Sequence, residues 1–126
     1  MQYLCLVYGD PAVFDRLSEE EAAALDRASL AHDVDLRESG HLILAKALQP
    51  VDEAMTVRVR DGRMSATAGP FAETTEQLGG FLFIEARDLN EAVDIAGRVP
   101  VARYASIEVR PVLDLEARVR AREARV

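Results

Sequence analysis

At 126 residues, with 49% apolar and 29% charged side chains, the chain has the size of one domain built on a single core, which excludes a two-domain organisation. No apolar run approaches the roughly 20 residues of a membrane helix, and the apolar opening stretch, cut short at Gly9-Asp10-Pro11, lacks a basic flank, so a strand is expected there and not a signal peptide. A formal net charge of −7 argues against a protein that tracks nucleic-acid phosphates; a cytoplasmic protein without membrane or direct nucleic-acid contact is expected.

Tyr3 to Tyr8 is a continuous apolar run ended by Gly9-Asp10-Pro11, which reads as a strand buried on both faces. Its Cys5 is the single cysteine, so no internal disulfide can form, in keeping with a reducing compartment. In mid-strand Cys5 reads as a small buried hydrophobe rather than a nucleophile. Ser18 with Glu21 has the form of a capping box, and Glu19-Glu20-Glu21 complements the positive end of a helix dipole. The spacing predicts a helix from Ser18 with a stripe of Ala22, Leu25, Ser29, His32 and Leu36, stopping before Gly40 as the C′ residue.

His41 to Leu48 gives a second strand, closed by Gln49-Pro50. From Met55 to Arg60 apolar and polar residues alternate, Asp61-Gly62 supplies a tight turn, and the hairpin returns through Met64 and Ala66. Residues 68 to 80, with three glycines and a proline, read as a long loop, a kind of segment that often carries function. Phe81 to Ile84 is a second two-faced apolar strand; Asp88 and Glu91 open a short helix ending near Gly97 and Pro100, and Ser106 to Val112 alternates as an edge strand.

This order predicts an α+β, ferredoxin-like βαββαβ domain with a hairpin insert, its first and third main strands central. Two helices cover one face of such a sheet. The other face calls for a second copy, giving a homodimer with two sheets packed face to face. The domain is expected over residues 1–113, with 114–126 a charged tail or a short helix, where Leu115 and Val119 keep helical spacing and Glu116 precedes Arg120 by four.

Gly69-Pro70-Phe71-Ala72-Glu73-Thr74, Glu76-Gln77-Leu78-Gly79-Gly80-Phe81 and Ser106 to Val112, with the opening strand and the Asp88-Leu89-Asn90-Glu91-Ala92 helix start, resemble the YCII-related proteins of the DGPF-domain type over residues 1 to about 112. The resemblance implies a dimeric α+β barrel. The aspartate that opens the family's name motif is replaced by Ala68. Some relatives are thought to use a histidine near the start of the first helix, with an aspartate, for lyase or dehydrochlorinase-type proton transfer; positions Ala22 to Leu25 hold no histidine, so that role is not carried over. Relatives of this type also tend to be encoded beside extracytoplasmic-type sigma factors, which implies a regulatory connection.

The richest set of donors and acceptors lies in the glycine-containing 69–80 segment, in Glu73, Thr74, Glu76 and Gln77. The structural alternative is that these groups satisfy the backbone of a demanding turn. His32 reads either as a hydrogen-bonded core residue or as a proton acceptor facing a cavity, while His41 reads as a surface residue, and the two form no zinc spacing. Tyr8 and Asp10 end the first central strand where they could meet the loop, with Asp10 otherwise forming an Asp-Pro turn. The candidate pocket is thus Tyr8, Asp10, His32, Glu73, Thr74 and Gln77. No hydrolase, zinc, nucleotide or redox motif occurs, and neither metal nor cofactor is expected.

The favoured reading is a small-molecule-binding protein with its pocket between helix and sheet, whose catalytic form is of lyase, isomerase or cofactor-free oxygenase type with Glu73 or His32 as proton carrier. The alternative is a non-catalytic regulatory module that engages a protein partner in sigma-factor-linked transcription control.

Overall fold

The computed structural model describes residues 1–125. Strand β1 (Gln2–Gly9) leads into a short helix α1 (Pro11–Asp15) and then the long helix α2 (Glu19–Glu38). The capping box is formed in both directions: Glu21 N–H donates to Ser18 Oγ at 3.1 Å and Ser18 N–H to Glu21 Oε1 at 3.0 Å, satisfying two donors that a helix start leaves open. Past the other end, Gly40 takes φ +84°, the left-handed conformation that glycine adopts without a Cβ penalty. Strand β2 (Leu42–Ala47) follows, then β3 (Met55–Arg60), β4 (Arg63–Ala68), β5 (Gln77–Glu85), helix α3 (Leu89–Gly97), β6 (Ser106–Pro111) and helix α4 (Leu115–Glu123).

The main sheet has the order β2-β5-β1-β6 with antiparallel neighbours throughout, so β1 and β5 are central and the fold is ferredoxin-like α+β. On the helix side, Cys5 faces Leu82 on one neighbour and Val109 on the other, and Tyr3 faces Ile84. These residues join Val7, Leu42, Leu36 of α2 and Ala92, Ile95 and Ala96 of α3 in one core. The two alanines remove bulk where α3 meets the sheet.

The opposite face is left without cover in the single chain, as expected of a sheet with helices on one side. Leu4, Leu6, Tyr8, Phe81 and Phe83 point there and are only half-buried, and Leu44 on β2 is exposed. Within one chain, the central strands bury a single face, because both helices that pack on the sheet lie on the same side.

Strands β3 and β4 form a separate two-stranded ribbon. Asp61 (φ 52°) and Gly62 (φ 73°) both take positive φ, as the two central residues of a type I′ turn do. At the base, Gly69 N–H donates to Ala54 O at 2.7 Å and Thr56 Oγ1 to Gly69 O at 2.8 Å.

Two boundaries move. The 68–80 loop shrinks to 69–76 because Gln77 to Gly80 belong to β5, where Gly80 pairs with Val7 on one side and Ala47 on the other. The segment after Gly9 is helical rather than a plain turn: Asp10 Oδ1 accepts from Ala12 N–H at 2.9 Å, with Pro11 at the first helical position, where its missing N–H costs nothing. The terminal segment forms α4, capped by Asp114 on the Ala117 N–H at 2.9 Å.

Candidate functional site

Helix α2 crosses the sheet above its β2–β5 edge, and between them opens a cavity of about 850 Å³. Its floor is Val7, Gly80, Leu82, Ala45 and Ala47 of the sheet; α2 supplies Leu25, Asp26, Ser29, Leu30 and Asp33, and Phe14 of α1 with Val99 to Val101 closes one end. The walls are chiefly apolar. Polar residues are few: Asp26, Ser29 and Asp33 from the helix, Lys46 from β2, and Gln49 and Gln77 from the sheet end. Asp26 and Asp33 stand seven residues apart, two helical turns, so both carboxylates fall on one face with Ser29 between them.

The local sequence explains this opening. Gly80 has no side chain to stand up from the sheet floor, and Ala45 and Ala47 are short, so the floor is low where α2 presents its mixed face. A shallower groove of about 700 Å³ runs between Met1-Gln2 and Pro111 to Glu116, with Asp114 and Glu116 as its acids.

The six residues singled out by sequence are not gathered into one place. Gln77, at the start of β5 opposite Gly9, lines the cavity. Tyr8 lies on the open face of the sheet, paired with Ser106. Asp10 caps α1. Glu73 and Thr74 lie in the exposed 69–76 loop, where Thr74 Oγ1 donates to Glu76 O at 2.6 Å. His32 is half-buried on α2, with Nδ1 shielded from solvent and without a hydrogen-bond partner, and its neighbour Asp33 is the one that lines the cavity.

Asp26 and Asp33 went unnoticed in the sequence, since acids on a long helix ordinarily mark its solvated face. The available signal was their spacing: positions 26, 29, 30 and 33 form a strip that overlaps at Ser29 the predicted stripe of Ala22, Leu25, Ser29, His32 and Leu36.

Elsewhere, His41 links β2 to α3. The Ser39 hydroxyl donates to Leu36 O at 2.9 Å, so the 2.8 Å contact with His41 is made by Nδ1–H donating to Ser39 Oγ. His41 Nε2 then lies 3.4 Å from Glu91 Oε1. Glu91 is held below the ordinary carboxylate range, first by the backbone N–H of Arg87 and then by the Arg87 guanidinium and His41. Burial pushes the Cys5 thiol up to about 11, which leaves it protonated and unreactive at neutral pH. Among the described residues, no group of three or more His, Cys, Asp and Glu is disposed to hold a metal ion, and no helix is long and apolar enough to cross a membrane.

Comparison with known proteins matches residues 1–116 to the YCII-related domain. An uncharacterized protein of Rhizobium meliloti (strain 1021) is 38% identical over 114 residues, covering 89% of this chain and 92% of that protein. Among solved structures, a 5-chloro-2-hydroxyhydroquinone dehydrochlorinase from Burkholderia phenoliruptrix AC1100, in complex with 2,5-dihydroxybenzoquinone, is similar with a TM-score of 0.53. It is 16% identical, and the match covers 90% of this chain and 94% of that one; at that identity the likeness is one of fold.

Proposed function

The chain belongs to the YCII-related family, and on that premise we propose that it is a small-molecule-binding protein, working as a homodimer, whose ligand occupies the cavity between α2 and the β2–β5 edge. The observation that carries this reading is the cavity itself. About 850 Å³ falls within the roughly 300–1,000 Å³ of small-molecule sites, and apolar walls with a few polar groups are their usual lining. The structural neighbour is named as a dehydrochlorinase holding a dihydroxybenzoquinone, which supports flat, oxygenated ring compounds as the first ligand class to test. In the catalytic form of this reading, Asp33 or Asp26 takes a proton from the ligand as a general base, and the Gln77 amide donates to a ligand oxygen. The homodimer forms through the open sheet face, where Leu4, Leu6, Phe81 and Phe83 gain cover.

A thermal-shift series on the full chain with hydroxylated quinones and phenols tests the site. A ligand at 100 times its Kd stabilises the folded form by about 2.7 kcal/mol, so a clear rise in melting temperature is expected. Ser29→Phe, which fills the cavity from α2, abolishes that rise, whereas Asp26→Asn with Asp33→Asn keeps binding and abolishes turnover. An equal rise in Ser29→Phe, or no rise with any ring compound, overturns the assignment.

A further inference from the structure

The cavity between α2 and the sheet is lined by side-chain charge of one sign. Asp26 and Asp33 both face it, the first exposed and the second half-buried, and neither joins an ion pair among the described residues. Lys46 is the one basic residue of the lining, and its ammonium stands elsewhere. Along β2, Ala45 pairs with Leu82 and Ala47 with Gly80, which are floor residues, whereas Lys46 between them pairs with Phe81. Successive side chains of a strand point to opposite faces, so the Lys46 side chain shares the open face of the sheet with Phe81. Its backbone is what meets the cavity, where the Lys46 carbonyl oxygen lies against Gly80.

The remaining walls are neutral. Ser29, Gln49 and Gln77 can each donate or accept a hydrogen bond, while the two carboxylates only accept. Phe14 supplies an aromatic surface at the closed end. Its ring rests over the bare backbone of Gly9, where a β-carbon would come within 2.5 Å of Cε2, and packs against Tyr104 at 6.3 Å between ring centroids. An apolar ring can pack there, in the offset or tilted arrangements that aromatic pairs prefer.

We propose that this cavity selects a ring that presents hydrogen-bond donors, as hydroxyl or ammonium groups, and rejects a ring that carries a carboxylate. Acceptor-only carboxylates on one face of α2 need donors opposite them. An anionic ligand would enter beside two like charges with no cationic side chain to offset them, on a chain whose net charge is already −7.

The inference rests on the cavity being a small-molecule site, and one calorimetric series on the full chain separates the two. Tyramine, para-ethylphenol and para-hydroxyphenylacetate share a phenol ring and differ in a short arm that ends in an ammonium, a methyl or a carboxylate. Wild type is expected to bind tyramine best, para-ethylphenol roughly threefold more weakly and para-hydroxyphenylacetate roughly tenfold more weakly. Asp26→Asn with Asp33→Asn brings the three within about twofold of one another. Asp35→Asn with Glu38→Gln, which removes as much charge from exposed positions of α2 outside the cavity, leaves the order unchanged. Ser29→Phe abolishes binding of all three. A carboxylate bound as tightly as the amine, or an order that survives Asp26→Asn with Asp33→Asn, overturns the charge selection and leaves the cavity standing as long as Ser29→Phe abolishes binding. Binding indifferent to Ser29→Phe, or no binding of any of the three, overturns both.

Discussion

A β-carbon at position 80 would stand 2.7 Å from the Lys46 carbonyl oxygen and 3.3 Å from the Ala47 Cα. Both obstacles are backbone of the neighbouring strand and cannot swing aside. Gly80→Ala is therefore expected to cost about 1–3 kcal/mol by forcing β2 and β5 apart, measured as a fall in the denaturant midpoint with an unchanged slope. At Gly9 the added carbon would meet the tip of the Phe14 ring at 2.5 Å, a side chain that can turn away, so Gly9→Ala costs less. The same glycines mark what the sequence hid about the site. Gly79-Gly80 look like loop punctuation in one dimension, and only the register with β2 reveals them as strand residues that lower a cavity floor. Glu73 and Thr74 drew notice by chemical type, yet type alone says nothing of direction, and the fold leaves both in an exposed loop.

At the scale of elements, helix caps were the most legible feature, because capping is chemistry between residues three or four apart. Ser18 and Asp88 both accept from the backbone N–H three residues on. The missed α1 carried its signal as well, in Asp10-Pro11. Glu91 ties α3 to its surroundings through the Arg87 N–H at 2.9 Å, the Arg87 guanidinium at 3.1 Å and His41 at 3.4 Å. Its folded-state pKa lies below the ordinary 4.5, so its contribution to stability is complete above the unfolded value and fades as pH falls through the folded one. Glu91→Gln should thus lower the melting temperature at pH 7. The gap between variant and wild type should close as the pH drops through the mid-fours and below, and a gap independent of pH would mean that the carboxylate charge contributes nothing.

For the molecule as a whole, element order and the two-sided apolar character of β1 and β5 were enough to predict the ferredoxin-like topology, since a strand central to a sheet must bond on both edges and pack on at least one face. A pocket between helix and sheet was expected, but the residues that line it were not predictable in this way. The cavity arises where α2, α1, β2, β5 and the segment at Val99 to Val101 converge, and convergence of parts distant in the chain leaves no local mark. The ribbon has a consequence for how the chain opens and closes. Its strands pair only with each other across a tight turn, so it can form within microseconds, before the long-range pairing of β1 with β5 and β6 is made. By the same token it can come apart alone. The backbone amides of Met55 to Ala68 should therefore exchange with deuterated solvent far ahead of those of β1 and β5.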